Sequence, residues 1–297
     1  MIPTRDRSTL GILLMLLAIL TFSLNDAMGK WLVSSYSVGQ VLLVRSIAAM
    51  IVLAPFILYN GWRTLFVIER PKLMVLRACL TTLEVAAFYY AVAFMPLADT
   101  VTFWMASPVY VAALSPLLLG EHVGWRRWTA IVVGFIGVLI ALRPSSETLT
   151  MPALIALVGS FFFALMMISG RALRRSSDLA MVFWPTLSAA VFGIVTLPFV
   201  KVAPTPFDLS LLALLGIVAL VAHFLTNRSL ALADAATVTP YQYTLLIWAM
   251  IFGWAFFNET PRMTTFIGAA LIVASGLFIF FREQQLGIKR EAATEIV

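Results

Sequence analysis

At 297 residues, with 62% hydrophobic and 11% charged side chains, the chain lies far from the composition of a soluble domain, in which about a quarter of residues are charged. Its net charge of +6 comes from 20 basic against 14 acidic residues, and the basic ones sit in short stretches between apolar runs. Membrane topology requires that placement. No nucleic-acid partner is expected; the expected partner is a lipid bilayer, and the expected location is the inner (plasma) membrane.

Crossing a hydrocarbon core of about 30 Å takes about 20 apolar residues per helix. Ten stretches meet that length, at about 9–29, 38–59, 73–94, 98–119, 125–142, 152–171, 180–200, 208–228, 235–257 and 263–281. The sequence therefore predicts an all-α polytopic membrane protein of ten transmembrane helices, with the tail 282–297 outside the membrane. Proline, glycine, serine and charge mark the connections, as in Gly61-Trp62-Arg63, Arg143-Pro144-Ser145-Ser146 and Pro204-Thr205-Pro206. Pro71, Pro152 and Pro261 stand near helix starts, where a missing N–H is tolerated. Cys79 is the single cysteine and lies inside an apolar stretch, so no disulfide or zinc site is expected.

The chain repeats itself. Leu97-Ala98-Asp99, Val101-Thr102-Phe103-Trp104 and Gly120-Glu121 are matched by Leu232-Ala233-Asp234, Val238-Thr239-Pro240-Tyr241 and Asn258-Glu259, at offsets drifting from 135 to 138 residues. Phe22 matches Phe163, Gly29-Lys30 matches Gly170-Arg171, and Leu53-Ala54-Pro55-Phe56 matches Thr196-Leu197-Pro198-Phe199. A repeat of this kind fixes architecture before any single residue does. It divides the chain into two five-helix repeats, 9–142 and 152–281. It also makes the first stretch a retained helix, because a cleaved leader would have no counterpart in mid-chain.

With the N-terminus placed in the cytoplasm, fifteen Lys and Arg fall on that side, among them Arg5, Arg7, Arg63, Arg70, Lys72, Arg126, Arg127, Arg174, Arg175 and Arg282. Only Lys30, Arg143, Lys201 and Arg262 fall on the other, and Arg45 lies within a helix. The bias predicts that both termini are cytoplasmic. Five helices is an odd number, so the second repeat enters from the opposite side. Inverted-topology repeats are the architecture of many secondary transporters, whose sites lie between the halves.

Ten helices as five plus five, with Leu119-Gly120-Glu121 and Asn258-Glu259 closing equivalent apolar runs and small residues following (Gly134, Gly137, Gly268, Ser275, Gly276), resemble the drug/metabolite transporter superfamily, EamA type. Asn258 departs from the pattern by replacing the glycine before the second glutamate. Ala130 stands where the second repeat has Gly268. The resemblance implies alternating access through a central cavity and export of small metabolites. Amino-acid exporters, including those for aromatic amino acids, are the nearest likeness; multidrug or organic-cation export is the alternative.

Ionisable residues inside a membrane are functional candidates because lipid disfavours them. Glu84 is near the middle of the third stretch, with Thr81, Ala87, Phe88 and Ala91 on its face. It is a candidate substrate ligand or proton carrier; a hydrogen bond to a neighbouring helix is the bland alternative. His223 in the eighth stretch shares a face with Thr226 and Asn227 and is the repeat equivalent of Phe88. Trp104 and Tyr241 are repeat equivalents of each other, and Tyr241 shares a face with Thr244, Trp248 and Phe252. Aromatic walls suit a partly apolar ligand or a cation; helix packing explains them equally well. The expected substrate-binding set is thus Glu84, Phe88, Trp104, His223, Asn227, Tyr241 and Trp248. Asp26 and Arg45 are read as a structural pair, and Glu121 and Glu259 as N-terminal caps of the helices that follow them. Helices five and ten, rich in glycine, are expected to pack closely on another helix or on another protomer. Without a phosphate loop, nucleophile elbow or metal-ligand motif, no cofactor and no catalytic residue is expected. An intramembrane enzyme using Glu84 and His223 is the alternative from another class.

Overall fold

The computed structural model describes residues 4–119, 125–142, 150–173, 175–199, 202–233 and 238–294. Gly120-Glu121, the Arg143–Ser146 connection and Asp234 lie outside them. The described residues contain α1 (Thr4–Val33), α2 (Val38–Asn60), α3 (Pro71–Phe94), α4 (Leu97–Met105), α5 (Ser107–Leu119), α6 (Trp125–Leu142), α7 (Met151–Ala172), α8 (Asp178–Thr196), α9 (Pro206–Leu232), α10 (Thr244–Phe257) and α11 (Met263–Thr294), with no strand among them.

Local sequence sets many of these boundaries. Ser37 caps α2, accepting from Gln40 N at 3.3 Å while Gln40 Oε1 accepts from Ser37 N at 3.4 Å. That reciprocal pair satisfies two otherwise orphaned donors. Pro71, Pro152 and Pro206 stand in the first turns of α3, α7 and α9. Asn258 closes α10 in the left-handed conformation, φ 55° and ψ 33°. Asparagine is the residue that best tolerates that region after glycine, so it can stand where the first repeat has Gly120.

Among the described residues, eight helical segments are long and apolar enough to cross a membrane. They include the fourth predicted stretch, as Leu97–Leu114 and with an interruption, whereas the fifth and the ninth are shorter. The fifth keeps an apolar helix over Trp128–Ala141. The fourth, expected as one helix over 98–119, breaks at Ala106, where α4 ends and α5 begins. Pro108 is the cause: it has no N–H for the Trp104 carbonyl, and its ring crowds that carbonyl. The ninth, expected as one helix from 235, runs as a 3₁₀ turn over Thr239–Tyr243 containing Pro240 and then as α10. Five 3₁₀ residues and fourteen α residues still rise by about 31 Å, enough for the bilayer core.

The strongest packing joins opposite halves: α1 lies along α9, α3 along α7, α2 along α8 and α6 along α11. Exchanging each stretch with its repeat equivalent turns the first pair into the second and returns the other two to themselves. That is the signature of two equivalent five-helix units facing each other. At the α6–α11 crossing, Gly137 and Gly268 meet: a Cβ on either would stand 2.6–2.9 Å from the other's carbonyl oxygen. These glycines are thus consumed by packing within one chain, and an assembly of copies through the same helices would have to use other surfaces. Outward-facing apolar side chains, such as Leu58 (83% exposed), Ile51 (68%) and Phe224 (68%), coat the periphery as lipid contact demands.

Candidate functional site

Glu84 is buried in mid-α3, and its Oε2 accepts from Trp104 Nε1 of α4 at 3.0 Å. Phe88, one turn along α3, meets Trp104 edge-on with ring centroids 5.0 Å apart. One carboxylate and two aromatic rings thus form a single wall, of which α3 supplies two members. Glu84 Oε1 accepts no hydrogen bond among the described residues. The break after α4 places Trp104 in the last turn of its helix, and its repeat equivalent Tyr241 lies inside the 3₁₀ turn before α10. Both equivalent aromatics therefore stand at interruptions of their helices. Interrupted helices in corresponding positions are where inverted-repeat transporters form their sites.

A second wall comes from α1, α9 and α10. His223 meets Phe22 of α1 edge-on at 4.9 Å. Phe22 packs in one apolar group with Tyr241 and Trp248. His223 keeps exposed surface. Asn227, one turn further along α9, is exposed and makes no side-chain hydrogen bond among the described residues. Glu84 and His223 do not touch: one is held by Trp104, the other by Phe22.

Tyr89, beside Phe88 on α3, brings in groups that the sequence pattern did not join to the site. Arg45 does not form the expected direct pair with Asp26. Its Nη1 donates to Tyr89 Oη at 2.7 Å, and the guanidinium stands 5.5 Å from the Tyr89 ring centre. The reason is reach: Tyr89 is the next residue of α3 after Phe88 and projects its hydroxyl towards α2. Asp26, Glu84, Tyr89 and His223 all lie within the electrostatic reach of Arg45. Five ionisable side chains from α1, α2, α3 and α9 thus share one neighbourhood. A Phe-Tyr pair in mid-helix opposite an intramembrane arginine was the signal available in the sequence.

One end of the molecule is tied across the halves. Lys30 Nζ lies 2.5 Å from Glu259 Oε1 and donates to Met95 O at 2.6 Å. Glu259 Oε2 accepts from Leu97 N at 2.8 Å. Glu259 is a cap, as expected, but of α4 in the other half rather than of the helix that follows it. The left-handed turn at Asn258 accounts for this by redirecting the chain. At the same end Thr265 donates to Asp99 Oδ1 at 2.6 Å, and Tyr36 donates to Asp208 Oδ2 at 2.6 Å. That bond holds the Tyr36 phenol above its usual range, so it remains a donor. The opposite end is joined by Ser229 to Gly11 O at 2.6 Å and Trp184 Nε1 to Leu65 O at 2.9 Å.

Two five-helix units packed face to face, with helix interruptions in corresponding positions, are an architecture that many membrane transporters share. The model of the EamA-like transporter family matches residues 9–143 and 150–281, and the chain belongs to that family. It is 31% identical over 279 residues to the S-adenosylmethionine uptake transporter of Rickettsia prowazekii (strain Madrid E), covering 93% of this chain and 94% of that one. The protein of the same name from Rickettsia bellii (strain RML369-C) is 29% identical, covering 95% and 97%. A riboflavin transporter of Rhizobium johnstonii is 28% identical, covering 94% of each. A solved crystal structure at 15% identity matches with a TM-score of 0.61 over 92% of this chain and 97% of that one, a likeness of fold. The chain is a membrane transporter of a small molecule, with homologues that are named transporters rather than enzymes.

Proposed function

We propose that this transporter carries a small solute with an α-amino-acid head and a heteroaromatic body, with S-adenosylmethionine as the first substrate to test. The carrying observation is the wall in which Trp104 and Phe88 flank the Glu84 carboxylate and leave its Oε1 open. Aromatic faces attract a cation and stack on a heterocycle. The names of the Rickettsia relatives support the same choice, and they favour uptake over the export that family resemblance suggested. Amino-acid transport survives in this reading as recognition of the amino-acid head.

Substrate contacts in this reading come from Glu84, Phe88, Trp104, His223, Asn227, Tyr241 and Trp248. Movement is by alternating access between the repeats 9–142 and 152–281, with both termini and the tail 282–297 in the cytoplasm. Proton coupling is assigned to Glu84. Uptake into proteoliposomes of labelled S-adenosylmethionine, riboflavin and phenylalanine tests the choice. Uptake of the first, suppressed by unlabelled S-adenosylmethionine and not by riboflavin, is expected; saturable riboflavin uptake alone would transfer the assignment to the neutral heterocycle.

A further inference from the structure

Arg45 is a half-buried guanidinium among apolar helices whose only side-chain hydrogen bond among the described residues is the one from Nη1 to Tyr89. It forms no ion pair there. A guanidinium has five N–H donors in a planar fork that matches a carboxylate through two parallel bonds. One donor is engaged, so most of the fork is available.

Its position is fixed from two sides. Gly216 of α9 lets the Arg45 backbone approach so closely that a Cβ there would strike the Arg45 carbonyl. Gly29 of α1 admits the Tyr89 ring in the same way. Tyr89 is almost fully buried (1%) and meets Phe88 edge-on at 5.8 Å, so the phenol holding Arg45 is held by the same wall that contains Glu84. Arg45 is thus a preorganised cation that no carboxyl among the described residues neutralises by contact.

We propose that Arg45, positioned by Tyr89, recognises the carboxylate of the substrate, while Glu84 faces its ammonium group. The assignment rests on the substrate class proposed above and names the residue that selects for the acid end of that class. The zwitterionic head lies between a fixed cation and the Glu84 carboxyl, and the heterocycle lies along Trp104 and Phe88.

Calorimetric titration of the purified full chain in detergent, with S-adenosylmethionine and with its analogue lacking the carboxyl group, tests this. The parent is expected to prefer the carboxylated ligand by about tenfold or more, as loss of a charge-assisted bond implies. Arg45→Gln is expected to reduce that ratio to near one. Tyr89→Phe, which frees the guanidinium without removing it, is expected to reduce the ratio partway. A parent without preference, or an Arg45→Gln protein that keeps it, overturns the assignment and leaves the substrate class standing, because both ligands then bind. Binding of neither ligand by folded parent overturns the substrate class and this assignment together. Should Arg45→Gln fail to fold, Tyr89→Phe decides: an unchanged ratio overturns the proposal, and a reduced one supports it.

Discussion

The Trp104 indole combines two functions that substitution can separate. Trp104→Phe keeps a ring against Phe88 and removes the donor to Glu84; Trp104→Ala removes both. A hydrogen bond to a charged group contributes about 1.5–3 kcal/mol to stability, so Trp104→Phe should lower thermal stability by about that amount and, with Glu84 no longer held, weaken substrate binding by about tenfold. Trp104→Ala should destabilise the fold further, since truncating a buried aromatic costs about 3–5 kcal/mol. Titration calorimetry and thermal unfolding of both variants check this, and equal binding by parent and Trp104→Phe would remove the hydrogen bond from the site. Glu84→Gln keeps an acceptor for Trp104 while losing a titratable group. Its uptake should become independent of pH, whereas a pH profile like the parent's would remove the proton-carrying role. At this scale the sequence was readable where chemistry is conspicuous. Glu84 and Trp104 stand out as an acid and an indole in apolar helices, but nothing in the spacing of twenty residues says that they bond. The partner of Arg45 was misread because helix ends suggest neighbours in depth, and only packing decides which neighbour the side chain reaches.

Helix ends carry the second set of consequences. Glu259 caps α4 and pairs with Lys30, which joins α1 and α4 of one half to the α10–α11 connection of the other. Removing one partner of a buried ion pair costs about 3–5 kcal/mol; with side chains still 11% and 22% exposed, this pair should fall at or below the lower end. Glu259→Gln should therefore loosen this end. Spin labels at Ser34→Cys and Thr260→Cys in a Cys79→Ser background should report a longer and broader separation in the variant. An unchanged distribution would mean that the contact closes nothing. The α6–α11 crossing makes a simpler prediction: Gly268→Val should lower thermal stability, with overpacking costing about 1–3 kcal/mol, and an unchanged unfolding temperature would contradict the close approach at Gly137. The breaks near Trp104 and Tyr241 had a visible cause in Pro108 and Pro240. They were missed because unbroken hydropathy masks a proline that removes only one or two hydrogen bonds.

For the molecule as a whole, the repeat was the legible feature. Matched motifs at a nearly constant offset, with an odd number of crossings per copy, are enough to predict five helices facing five. The cross-half pairing of α1 with α9 and α3 with α7 follows from it. The solute carried was not legible in this way, because fold and topology are shared by carriers of unrelated solutes. Orientation is tested by a reporter fused after Val297, expected to be active on the cytoplasmic side; activity confined to the periplasm would reverse the topology. Carriage by alternating access is tested most directly by counterflow. Proteoliposomes holding the full chain are loaded with unlabelled S-adenosylmethionine and diluted into a trace of the labelled compound. Transient accumulation of label above equilibrium, reduced in Trp104→Ala, is the result this account predicts; label that only equilibrates, at the rate of protein-free vesicles, would contradict it.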